Sequence, residues 1–163
     1  MGEFTDAKGT TSDSFQLNAA NFDLDPTIGT FAEGKVYWDK VWHTLSVEIG
    51  RDVTLQVGQE EYRRVYNETG STILIGAAVY TNGVYTGVQP YTSTVALAQA
   101  NDDATYWCLG LATQDIPTAG WGFVTVRGYV NDIDTSSFTD GDVLYLSEST
   151  PGALTKTIPL APN

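Results

Sequence analysis

The chain offers chemistry one histidine, one cysteine and twenty carboxylates. His43 closes the segment Asp39-Lys40-Val41-Trp42-His43, between two short runs of β-formers. A hydrolytic triad needs its base oriented beside a nucleophile. No Gly-x-Ser-x-Gly elbow accompanies it, so His43 reads as a turn residue. Cys108 has no second cysteine to pair with, which excludes an intrachain disulfide. One histidine and one cysteine also leave too few nitrogen and sulfur ligands for a zinc-type site within one chain. The densest oxygen cluster is Asn131-Asp132-Ile133-Asp134, with Asp140 and Asp142 close behind. Calcium takes roughly six to eight such oxygens, but the EF-hand spacing is absent and aspartate is equally a residue of β-turns. Paired carboxylates for glycoside hydrolysis need only meet in space, and among twenty acids a pairing carries no information. No catalytic residue, metal or cofactor is expected.

Four tryptophans and nine tyrosines carry more weight. Aromatic side chains dominate burial in cores and interfaces, and a ring left exposed can stack on a sugar. Trp38 and Trp107, inside apolar runs, read as core or subunit-interface residues. Trp42 and Trp121, beside turn residues, are the candidates for contact with a host surface glycan.

Twenty acidic against eight basic residues give a formal net charge of −12 and a pI near 4.1. Nucleic-acid binding depends on Lys and Arg displacing counterions from phosphates, so neither nucleic acid nor an anionic membrane is an expected partner. No apolar run approaches the roughly 20 residues of a spanning helix. The start, Met1-Gly2-Glu3-Phe4-Thr5-Asp6, shows no secretory pattern. A soluble protein is expected, and the single cysteine is compatible with a reducing cytoplasm.

The elements that must position these residues are short. Residues 1–31 form an extended arm: polar and small up to Asp13, then spaced single hydrophobes at Phe15, Leu17, Phe22, Leu24, Ile28 and Phe31. That spacing fits neither helix nor strand. It suits a segment that orders by docking its side chains into grooves on a neighbour. Residues 32–60 read as a β-hairpin segment: a strand over Gly34–Asp39, a turn at Lys40–His43, a return over Thr44–Ile49, and a third run at Val53–Val57. Residues 61–163 read as a β-barrel-like domain. Its strands are expected at Glu61–Tyr66 (or a short helical turn from Gln59), Thr72–Ile75, Ala77–Tyr80, Thr94–Ala100 (or a partly buried segment), Tyr106–Ala112, Phe123–Gly128, Val143–Leu146 and from Leu154. Asn82-Gly83 is the strongest hairpin signal, because both residues accept positive φ. The fold class is all-β, a short-stranded barrel or sandwich.

The run GLATQDIPTAGWGFVTVRGYVNDIDTSSFTDGDVLYLSESTPGALT resembles a module of tailed-bacteriophage virion proteins. Such modules belong to tail and head fibre proteins and, more distantly, to the head-decoration (capsid-cement) family. The resemblance lies in Gly110, Gly120-x-Gly122-Phe123-Val124, Arg127-Gly128, Ile133-Asp134-Thr135, Gly141-Asp142-Val143-Leu144-Tyr145-Leu146 and Pro151-Gly152. Gly34–Asp39 through Leu55–Glu60 is similar to the opening segment of the same fibre proteins. It implies a β-structured homotrimer in the virion, assembled in the host cytoplasm. The implied partners are the major capsid protein or tail proteins, and the implied role is head decoration, head fibre or fibre base, or alternatively tail fibre. A carbohydrate-binding module that recognises a host glycan is the rival class. Proteins of this type run on past the position of Ala161-Pro162-Asn163, so the chain reads as a whole protein or as the anchoring part of a longer fibre. The contact residues expected first are Phe15, Leu17, Phe22, Leu24, Phe31, Tyr37 and Trp38.

Overall fold

The structure, a computed structural model, describes residues 19–50, 52–88 and 90–160; Phe15 and Leu17 lie outside them. The described chain is all-β, with no helix among the described residues. Strands β1 (Val36–Asp39), β2 (Thr44–Gly50) and β3 (Val53–Gln56) form an antiparallel sheet in that order. Its first reversal is built by Asp39, whose Oδ1 accepts the N–H groups of Val41 (2.8 Å) and Trp42 (3.2 Å). His43 completes the turn at φ 51°, in the left-handed region that few side chains enter.

Five strands then pair in a closed ring: β4 (Glu61–Asn67), β5 (Ala78–Tyr85), β6 (Thr92–Leu97), β7 (Cys108–Ala112) and β8 (Gly120–Arg127), in the order β4-β6-β5-β7-β8. The β4–β8 pairing is long, from Glu61↔Arg127 to Asn67↔Gly120. The β4–β6 seam is a parallel contact through Tyr66↔Thr94 alone. Val65, Val79, Val95, Ala112 and Val124 point inward and are fully buried, as the period of two along a strand requires. Ile73 and Ile116 close one end of the ring. They exchange two backbone hydrogen bonds of 2.9 and 2.8 Å. Gly122 makes room for this plug: a Cβ there would lie 2.5 Å from Ile116 Cγ1.

The chain after the ring folds back over the β5–β6 side. Ile133 packs where Gly76 has no Cβ, and Gly152 bonds to Ala78 (2.9 Å) and Ala98 (2.7 Å) through its backbone. Strands β9 (Tyr145–Leu146) and β10 (Leu154–Thr155) make a two-residue ladder there.

Several expected elements differ. Asn82-Gly83 does not turn the chain; both lie inside β5, where the register shifts between Thr81 and Gly83 against β6. Neither residue takes a positive φ; Gly83 instead makes room for β6, since a Cβ there would lie 3.0 Å from Thr94 Oγ1. The β5–β6 pairing instead runs out to Tyr85↔Thr92, so the reversal falls after it. Thr72–Ile75 supplies the Ile73 bridge rather than a strand. Of the run Val143–Leu146 only Tyr145 and Leu146 pair, and Val143 stands exposed. The strand expected from Glu61 is present, preceded by a turn in which Gln59 and Glu60 donate to Gln56 O.

Candidate functional site

The arm root is held by a single polar cluster on the first sheet. Lys35 Nζ donates to Glu48 Oε1 (3.1 Å), to Ile28 O (3.2 Å) and to Thr30 O. Glu48 also accepts the Ala32 N–H. Burial pushes the Glu48 carboxyl up, but the Ala32 N–H and the Lys35 ammonium more than offset it and leave it below its usual range. Beyond this root the arm continues without regular structure, tied by Lys40 to Asp25 at the surface. Leu24 projects into solvent with 65% of its surface free, and Phe22 is partly covered, with 38% free. Phe31, Tyr37 and Trp38 are each half-buried. The Tyr37 phenol is raised by burial and then by the charges of Asp39 and Glu48.

The register of the first sheet sorts its residues onto two unlike faces. Lys35, Tyr37, Asp39, Thr44, Ser46, Glu48, Thr54 and Gln56 share one face. Val36, Trp38, Leu45, Val47, Leu55 and Val57 share the other. Burial is the reverse of what this polarity would ordinarily give. Ser46, Glu48 and Gln56 are buried, whereas none of the six apolar residues is, and Val36 and Val57 are exposed. Glu60 and Tyr62 help cover the polar face: Gln56 N–H donates to Glu60 Oε2 (3.1 Å), and the Tyr62 hydroxyl donates to the same carboxylate (2.6 Å). The Tyr62 phenol is pushed well above its usual range by burial and then by Glu60.

The tryptophans fall into three settings. Trp42 lies at the β1–β2 turn with its ring 5.3 Å from that of exposed Tyr129. A separate polar cleft of about 190 Å³ is lined by Asp52, Val53, Thr54, Gln56, Tyr62, Thr113, Asn131 and Asp132, and neither ring of the pair enters it. Trp121 belongs to a cluster on the outside of the ring. The Arg64 guanidinium lies 3.8 Å from its ring centre, and Tyr66 and Tyr85 meet it edge-on at 4.9 and 5.3 Å. Tyr66 of β4 and Tyr85 of β5 stack at 3.9 Å. Trp107, read from sequence as core or interface, is 70% exposed and so is outside the core of this chain; its one ring neighbour among the described residues is Tyr106.

Aspartates 132, 134, 140 and 142 do not converge. Among the described residues no three His, Cys, Asp or Glu side chains are placed to hold a metal ion. Asp134 accepts the Ser136 N–H, and Asp142 accepts the Thr139 N–H and pairs with Lys156 at 3.5 Å. Backbone donors come first among the causes that hold both carboxyls below their usual range. These are the hydrogen bonds of turn-building residues.

Sequence reasoning missed Asn67, which lies between the strands expected at Glu61–Tyr66 and Thr72–Ile75. Its side chain is fully buried at the closed end of the ring. Nothing in the sequence Asn67-Glu68-Thr69-Gly70 distinguishes that setting from an exposed turn. It also missed the inverted sheet, although strict alternation over Val36–Asp39 and Thr44–Glu48 marks two faces of opposite polarity.

Taken together, these elements define an all-β protein whose polar clusters tie turns and strands while large apolar side chains stand at its surface. Comparison with protein-family models, with curated proteins and with solved structures finds no match for the chain.

Proposed function

We propose that the chain is a structural subunit of a tailed-bacteriophage virion, a homotrimer that decorates the head or forms a head fibre or fibre base. It attaches through its arm to the major capsid protein or a neighbouring subunit; a tail-fibre base is the alternative placement. The observation that carries this reading is the arm itself. It is anchored at Lys35 and Glu48, then runs out with Leu24 65% and Phe22 38% exposed among the described residues. Large apolar residues displayed on a tethered, irregular segment suit docking on a partner. The resemblance of Gly110–Thr155 to virion modules points the same way.

The test is a variant lacking residues 1–31. Its circular dichroism should match the full chain, because no ring strand is touched, while its occupancy on particles assembled in its presence should vanish. Normal occupancy would sink the reading.

A second reading rests on the Trp42–Tyr129 pair. Two neighbouring rings at the surface, Tyr129 exposed, suit stacking on a host glycan. Glycan-array binding that disappears in Trp42→Ala and Tyr129→Ala would favour it. Binding lost only in Trp121→Ala would move the contact to the Arg64 cluster.

A further inference from the structure

We infer that the apolar face of the β1–β2–β3 sheet is the surface through which copies of this chain join, each packing it on the same face of its neighbours. This deepens the subunit reading above and rests on it. Val36, Trp38, Leu45, Val47, Leu55 and Val57 all project from this face. Three polar residues of the opposite face are buried at 0–6% exposure while none of these six is. A sheet that turns its polar side inward and its apolar side outward is completed only by a partner that covers the outside.

Three observations select another copy of the chain as that partner. The face carries no charge at any of its six positions, whereas the chain as a whole carries −12. Copies that meet through these six positions bring no acidic side chains of the face together. The chain's own described arm is on the other side: its root is tied to Lys35 and Glu48, which belong to the polar face, and its next tie is to Lys40 at the turn. The geometry is also self-complementary. Three such sheets can turn this face toward a common axis, each packing its apolar side chains against the same face of its two neighbours, and symmetric assemblies reuse one patch on every subunit. Val47 is central, paired with Val36 on one side and Leu55 on the other.

The test is the mass of the full chain by light scattering over a wide concentration range, for wild type and Val47→Asp. Wild type should give a multiple of the 17.6 kDa chain mass, and Val47→Asp should give the single-chain mass. Far-UV circular dichroism like that of wild type and a cooperative urea transition show that the variant is folded. Because an introduced charge can disturb a small sheet, a second variant reports independently. Val47→Cys in a Cys108→Ser background should, under mild oxidation, give an interchain disulfide between the introduced thiols. Wild-type mass in Val47→Asp overturns the inference, and so does a single-chain mass for wild type at every concentration. An apolar-dye signal that appears only when residues 1–18 are removed, with the mass unchanged, assigns the face to the chain's own arm and also overturns it. Deletion of residues 1–31 separates the two proposals. Lost particle occupancy with assembly intact supports both, and normal occupancy with assembly intact removes only the arm reading.

Discussion

Asn67 uses both ends of its amide at the closed end of the ring. Its Nδ2 donates to Ser71 O (2.9 Å) and Ile116 O (2.8 Å), and its Oδ1 accepts from Thr69 N–H (2.9 Å) and Oγ1 (2.6 Å). One side chain thus fixes the Ile116 plug and the turn that leads to Ile73. Asn67→Asp keeps the shape but sets an oxygen against two carbonyls that have lost their donor. An unsatisfied buried polar group costs about 1–3 kcal/mol, so the variant should lose at least about 2 kcal/mol by the same measure. The urea midpoint should fall with the slope unchanged. The loss should deepen as pH rises through the new carboxyl's pKa, since only the neutral acid can donate; a pH-independent deficit would count against this explanation. The role of Asn67 was not legible in the sequence, because an Asn before Glu-Thr-Gly has the same local preferences whether its amide meets water or the inside of a fold. Asn82-Gly83 misleads because its tolerance of positive φ is not used here: both residues stay extended within β5, and long-range pairing with Ser93, Thr94 and Val95 holds them there.

Among elements, the first sheet and the arm root act as a unit. Strand positions there were legible, since alternation and the Asp39–His43 turn act locally. Which face meets the rest of the molecule was not, because alternation marks two faces without saying what covers either. The buried polar face makes the unit acid-sensitive. Glu48, held below its ordinary carboxyl value of 4.5, favours the folded state with its charge. A depressed folded pKa contributes stability that is complete above the unfolded value and is lost as pH falls through the folded one. Asp134 and Asp142 carry the same sign. Urea midpoints should therefore hold from pH 7 down to about 5 and then fall below the ordinary carboxylate values. Glu48→Gln should flatten that acid limb and lower the plateau. An acid limb identical in Glu48→Gln would place the sensitivity at the aspartates after the ring.

For the whole molecule the governing quantity is the charge of −12 per copy. Joining copies through an uncharged apolar face sets a short-range attraction that salt leaves intact against a long-range repulsion that salt screens. The Debye length shrinks from about 30 Å at 0.01 M to about 8 Å at 0.15 M ionic strength. Association should therefore strengthen over that range and then level off, because the remaining contact buries apolar surface and its strength does not depend on counterions. Lowering the pH from 7 toward the pI near 4.1 should act in the same direction, until loss of the Glu48 charge loosens the sheet that carries the interface. The measurement is the light-scattering mass at fixed protein concentration across a salt series. An interface held by ion pairs would show the opposite slope, with mass falling as salt rises. That outcome would move the contact from the Val47 face to charged groups such as the Arg64–Trp121 cluster and the acidic arm.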